Sequence, residues 1–332
     1  MRRRDRTGAG LAVFALLVLV PGGVDWAATD QDPLEEAAKA TDEVDFSAQV
    51  SVKWLDRGRL YQAPVEVRSG DGRVHIGGPM EVVLGPTGLP GLRPERWLRV
   101  WPRASAGGRV PDVEDKYDLH RQVGPVIGGR PTHLWVLSVG GRLREQLAVD
   151  EATGLVLRRQ LFGPAGEVVR EVVVHRLDTG VAPEDGSPPA GEGPELRAVR
   201  PGRLPALYRA PESLAGGYRR VGAYHGDGQV HLLYSDGLHS MSLFVQPGHL
   251  SELTDGGRPV RVGRASGLRY GLPGGEVVAW EAGSTVRLLV SDAPTDEVLA
   301  AARSVPEPEG LSWAARLRRA CRRVAEAVSG GP

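Results

Sequence analysis

From Phe46 the chain alternates: Phe46, Ala48, Val50, Val52 and Trp54 share one side of a period-two repeat, and Ser47, Gln49, Ser51 and Lys53 share the other. Successive side chains of a strand point to opposite faces, so this pattern predicts a half-buried antiparallel strand. Similar stretches recur at 60–68, 73–76, 80–84, 97–101, 117–123, 132–139, 142–149, 155–162 and 168–177. Turn sequences such as Gly70-Asp71-Gly72, Gly140-Gly141 and Pro164-Ala165-Gly166 separate them. A run of this kind predicts one large antiparallel sheet, which has to close or to cover a face. Asp32, Pro33, Glu35 and Glu36 mark the start of a short helix ahead of it. The fold class expected is α+β, mainly antiparallel β: an incompletely closed curved barrel with a covering helix, followed by a second, smaller α+β domain.

Residues 181–203 include VAPEDGSPPAGEGPE, which has too little apolar surface to fold and reads as a linker. Strand patterns resume at 218–225, 230–235, 239–245, 260–264, 267–270, 276–280 and 286–291. Thr295 is the expected cap of a closing helix that carries Asp296 and Glu297 in its first turn and stops at Pro306. Past it, Trp313, Leu317, Cys321, Val324 and Val328 form one helical stripe, and Arg316, Arg318, Arg319, Arg322 and Arg323 make the rest basic. A helix packed on the body and a basic helix lying on a membrane or partner through residues 311–329 both fit that pattern. The organisation expected is a signal at 1–28, a barrel domain at 29–180, a linker at 181–203, a small domain at 204–306 and a basic tail at 307–332.

The leader sets the compartment. A basic stretch, MRRRDR, precedes the apolar run Leu11 to Val20, which is too short for a comfortable span and reads as a secretory signal, cleaved or retained as an anchor. The chain is therefore expected outside the cytoplasmic membrane, in the periplasm or cell envelope. With one cysteine, Cys321, the core alone must hold the fold. The 41 basic and 41 acidic residues of the 332 cancel, so no global field draws the chain to nucleic acid.

HLLYSDGLHSMSLFVQPG, residues 231–248, carries the residue types of a hydrolase. Yet Ser235-Asp236-Gly237 is a turn sequence between two alternating strands, and neither a G-x-S-x-G elbow nor a positioned base is recognisable around Ser235, Ser240 or Ser242. The eight histidines show no H-x-x-x-H or H-E-x-x-H spacing, although His225 and His231 are placed to meet across a hairpin as a solvated pair. No glycine run forms a phosphate loop. A non-enzymatic protein without metal or cofactor is expected.

Two stretches resemble the periplasmic sigma-E negative regulators, the RseB/MucB family. Gly129-Arg130, then Asp150, Thr153, Gly154 and Leu155, match its "GR" and "D-x-x-T-G-L" elements, and LLYSDGLHSMSLFV matches its "Y-S-D-G-L" hairpin; LPALYRA (204–210) stands where the family has "L-P-x-G-F", with Tyr208 a departure. The resemblance implies an open lipoprotein-carrier-like barrel whose cavity takes acyl chains. It implies a small domain that, with the cleft between the domains, binds the exported segment of a membrane-anchored anti-sigma factor. On that basis Trp54, Trp97, Trp101, Leu134, Trp135 and Leu157 are the expected lining of a cavity for lipid or lipoprotein acyl chains. Tyr234, Ser235, Asp236, Gly237, His239, Ser240 and Phe244 are the expected partner-binding surface, with Tyr234 and Phe244 on the face opposite Leu233, Met241 and Leu243, open to a partner or covered by the closing helix at 295–305, and His239 and Ser240 on a polar rim outside the core. The function expected is regulation of sigma-factor release in envelope stress; the alternative is an envelope carrier of lipid or lipoprotein.

Overall fold

The computed structural model describes residues 44–306 apart from 57, 71–72, 78–81, 85–110, 181–196, 201, 203, 205–207, 209–210, 227–228, 249, 251–256 and 273. The early helix, the strand expected at 97–101, the leader and the basic tail lie outside these residues.

Nine strands form the first sheet: β1 (Phe46–Asp56), β2 (Arg59–Gly70), β3 (Arg73–Gly77), β4 (Val82–Leu84), β5 (Asp118–Val123), β6 (Thr132–Val139), β7 (Arg142–Asp150), β8 (Val156–Phe162) and β9 (Val168–Thr179). Their order is β4-β3-β2-β1-β9-β8-β7-β6-β5, so β4 and β5 are the two ends and the sheet is not closed. Register follows from the alternation: Ala48 opposes Val67 and Val50 opposes Val65, which puts the apolar members of β1 and β2 on one face. Bulges in the β1–β9, β6–β7, β7–β8 and β8–β9 pairings bend the strands.

The second sheet contains β10 (Arg197–Ala198), β11 (Ser213–Leu214), β12 (Tyr218–Gly226), β13 (Gln229–Ser235), β14 (Ser240–Pro247), β15 (Arg258–Val262), β16 (Ala265–Leu272), β17 (Gly275–Ala282) and β18 (Thr285–Ser291). It runs β10-β12-β13-β14-β18-β17-β16-β15, with β11 beside β12. One α-helix among the described residues, α1 (Thr295–Ser304), follows β18. Two details differ from the sequence reading. Arg197–Ala198 pairs with β12 although it falls inside the expected linker. The residue preceding the first turn of α1 is Pro294, and Thr295 instead donates its hydroxyl to Glu276 Oε1 at 2.7 Å, tying the helix to β17.

Both faces of the second sheet are covered. Leu232, Tyr234, Met241, Leu243, Val278 and Leu289 pack beneath Val298, Ala301 and Ala302 of α1. Phe244, Tyr270, Leu272, Val277, Ala279, Leu288 and Val290 join Phe46, Val50, Val52, Leu157, Val172 and Val174 of the first sheet in one core. The two sheets are thus packed on each other, and a smaller cluster of Val113, Tyr117, Leu137, Leu147, Val149 and Val156 receives Leu238 from the second. No helix among the described residues is long and apolar enough to cross a membrane.

Candidate functional site at the joint between the sheets

The turn Asp236–His239 joins β13 to β14, and Ser235 pairs with Ser240. That register places Tyr234 opposite Met241 and His231 opposite Phe244. Directly opposed residues share a face, so Tyr234 lies on the helix side with Leu243, and Phe244 lies on the other side with Leu233. The expected grouping of Tyr234 with Phe244, against Leu233, Met241 and Leu243, is corrected accordingly: alternation fixes the faces within a strand, and only the turn length fixes them across two.

The rim is corrected as well. His239 and Asp236 are each 1% exposed, Tyr234 and Phe244 are equally buried, and Ser240 alone of the expected partner-binding set is half-buried. Ser235 spends its hydroxyl on the turn, donating to His239 O and accepting from Gly237 N. Asp236 Oδ1 accepts the amides of Leu238 and His239 at 3.0 and 2.7 Å. Gly237 has φ +96° and sits so close to the segment leading into the first sheet that a Cβ would stand 2.8 Å from Pro111 O and from Val113 Cα. Glycine is required there by conformation and by space.

Around this turn the two sheets meet through charge. Lys116, just after the short 3-10 turn Val113–Asp115, donates to Asp236 Oδ2 at 2.5 Å and to Glu297 Oε2 at 2.8 Å. Its ammonium also lies 5.0 Å from the Tyr117 ring and 4.7 Å from the Tyr218 ring. Tyr117 OH donates to Asp236 Oδ2 at 2.7 Å, Tyr218 OH to Glu297 Oε2 at 2.7 Å, and Arg144 Nη2 to Glu297 Oε1 at 2.5 Å. Deeper in, Arg159 pairs with Glu145 and lies 3.2 Å from Asp292 Oδ2. His239 Nε2 stands 3.3 Å from Glu145 Oε2 without hydrogen-bond alignment, and its Nδ1 stands 3.6 Å from Asp292 Oδ2. Asp292 also accepts Ser240 N on Oδ1 and Arg170 Nη1 on its carbonyl.

The electrostatics follow from burial opposed by partners. Burial pushes the His239 pKa down, but the negative charges of Glu145, Asp292 and Asp236 outweigh it, and the net shift is upward. Burial raises the Glu297 carboxyl while His239 and Lys116 lower it further, to about 2. Asp292 is likewise held well below the carboxylate range by His239 and Arg159 against its own desolvation. Tyr117 and Tyr218 are raised, first by burial and then by Asp236 and Glu297, and stay protonated as donors.

The remaining sequence-selected residues fall elsewhere. Leu157 belongs to the core shared by the sheets, with Trp54 and Leu134 packed against it, whereas Trp135 packs with Leu137 and Leu147 in the smaller cluster. Trp97 and Trp101 lie outside the described residues. His231 does not meet His225 in solvent: it is fully buried, stacked 4.4 Å from Phe244 and 5.6 Å from Tyr224, and desolvation lowers its pKa to about 3. No group of three or more His, Cys, Asp or Glu side chains stands in metal-holding geometry among the described residues. Sequence reasoning missed the parts played by Lys116, Arg144, Glu145, Arg159, Asp292 and Glu297; for Glu145 of β7 and Arg159 of β8 the signal would have been a charge at a strand position where alternation demands an inward side chain, whereas Lys116, Asp292 and Glu297 lie off the strands and Arg144 is the neighbouring position of β7.

The architecture of the described residues belongs to the class in which an open, curved antiparallel sheet is docked on a second sheet covered by a helix. It is the fold of MucB. The MucA/MucB complex structure from Pseudomonas aeruginosa aligns with 84% of this chain and 99% of that one, at 20% identity and a TM-score of 0.53. A structure of MucB alone aligns with 85% of this chain and 99% of that one, at 18% identity and a TM-score of 0.51. No protein-family model matches the chain, and no curated protein matches it in sequence.

Proposed function

We propose that this chain is an extracytoplasmic, non-enzymatic regulator that binds the exported segment of a membrane-anchored anti-sigma factor and so modulates release of a sigma factor in envelope stress. The observation that carries this reading is the fold shared with nearly the whole of MucB, a protein whose structure is known in complex with MucA. The basic-apolar leader supports an extracytoplasmic place, and the two motif stretches support the partner class. Asp236 and Gly237 of the hairpin motif, and Arg130 and Asp150 of the other, take up structural positions, so the likeness rests on residues that the fold uses. With Tyr234 and Phe244 buried, the turn contributes to partner binding by holding the two sheets in register, and Ser240, half-buried at the start of β14, stands beside it.

The test is capture of envelope proteins and lipids on the tagged chain, followed by mass spectrometry and titration of the captured partner's exported segment. Recovery of a single-span protein with a sigma-binding cytoplasmic part, bound at micromolar affinity or better, is the expected outcome. Capture of lipoproteins or acyl lipids with no such protein would overturn it in favour of an envelope carrier.

A further inference from the structure

Ion pairs join the two sheets around the turn. Lys116, Arg144, Arg159 and Arg170 come from the first sheet and its leading segment, and they meet Asp236, Glu297 and Asp292 from the turn, the helix and the β18–α1 connection of the second. Pairs of the reverse sense cross between the sheets as well: His239 of the second against Glu145 of the first, Arg258 and Arg269 of the second against Asp56 of the first, and Arg219 against Asp115. Beside this polar half lies the shared apolar core, which takes seven buried residues from the second sheet, whereas the polar half takes a single apolar contact from it, Leu238. Complementary charge in place of apolar contact makes a junction that is costly when a partner is missing and separable when charge balance changes.

We propose that the joint is a switchable latch: the polar half, pinned by Lys116 and centred on His239, opens and closes while the apolar half holds the two sheets together as a hinge. The groups that face His239 are Glu145 of β7, Arg159 of β8, Asp292 after β18, the edge of Tyr117 at 6.3 Å and Asp236 of its own turn. Around them stand Arg170 of β9, Lys116, Arg144 of β7 and Glu297 of α1. Three arginines, the lysine and the protonated imidazole face four carboxylates, so loss of the imidazolium proton removes one cation from beside Glu145 and Asp292. The raised pKa of His239 means that its contribution is present below the ordinary value of 6.5 and is lost as pH rises through the value in the closed state. Glu297 and Asp292, both lowered, contribute above their ordinary values of 4.5 and 3.8 and fail as pH falls through their values in the closed state. The latch is therefore tightest from about pH 4.5 to 6.5.

Hydrogen exchange on the full chain, corrected for intrinsic rates, tests this independently of any partner. From pH 6 to pH 8.5 the amides of Leu238, His239 and Tyr117 are expected to lose about ten-fold in protection while those of Val52, Val172 and Val290 keep theirs. Lys116→Met should produce the same local loss at pH 6, and Lys53→Met, which removes an outward pair with Glu171, should not. Unchanged protection at the turn in both the pH series and Lys116→Met would overturn the proposal. So would loss of protection in the turn and the core together, which would show one inseparable unit. The pH series on the unaltered chain decides the matter even where the variant fails to fold.

Discussion

Asp236 accepts from four groups, the Leu238 and His239 amides on one oxygen and Lys116 and Tyr117 on the other. Its carboxylate is fully buried, and Lys116 is mostly so. Removing one member of such a pair leaves the other charge desolvated, a larger penalty than the pair itself contributes. Asp236→Asn is expected to lower unfolding free energy by about 3 kcal/mol or more, measured by urea denaturation, and a loss under ~0.5 kcal/mol would contradict the geometry. The two buried histidines give opposite pH limbs. His231, with its pKa lowered to about 3, stays neutral in the fold while the unfolded chain protonates near 6.5, so its cost grows as pH falls below 6.5. His239, shifted upward, loses its stabilising contribution as pH rises above 6.5. Stability is expected to peak near pH 6.5, with His231→Gln flattening the acid limb and His239→Gln the alkaline one. A stability profile whose limbs do not respond to these substitutions would refute the assignment.

At the level of elements, the alternation of β1 and the turn glycines were readable because period two and positive φ leave direct marks on sequence. The two motif stretches were readable for a reason that only contacts reveal. Arg130 donates through Nε and Nη2 to both oxygens of Asp150, which also accepts the amide and hydroxyl of Thr153, so the "GR" and "D-x-x-T-G-L" elements are one bonded unit. What could not be read was the pairing between sheets. Sequence separates Lys116 from Glu297 and Glu145 from His239, and alternation says which way a residue points without saying what waits there. The hairpin shows the same limit: each strand's faces were legible, but the register across Asp236–His239 was not, and with it went the placement of Tyr234 and Phe244. Gly237 ties this element to the first sheet by close backbone approach. Gly237→Ala meets both a left-handed φ and the 2.8 Å contacts with Pro111 and Val113, so it should destabilise by about 1–3 kcal/mol. Gly140→Ala, at φ +56° with nothing within 4 Å of the added carbon, should cost less. Equal thermal shifts for the two would remove the close approach as a cause.

Across the whole molecule, the joint joins an apolar and a polar half, and their relative weight decides what a break in the covalent chain would do. Seven buried residues of the second sheet enter the shared core, from Phe244 to Val290. At about 1.5–3 kcal/mol for each large apolar side chain, the gross gain is on the order of 10–20 kcal/mol. Association of separate pieces costs an estimated 4–15 kcal/mol, so the surplus is positive but modest, and the polar half tips it. A protease site introduced into residues 181–196 and cut after folding should therefore leave two fragments that co-elute in gel filtration at micromolar concentration near pH 6. At pH 8.5 the same fragments should dissociate at a several-fold higher concentration, because the upward-shifted His239 loses its proton as pH rises and leaves Glu145 and Asp292 beside one cation fewer. Fragments that separate equally at both values would show that the apolar half alone sets the association. Fragments that never associate would show that the two sheets depend on the covalent link, a result the size of their common core argues against.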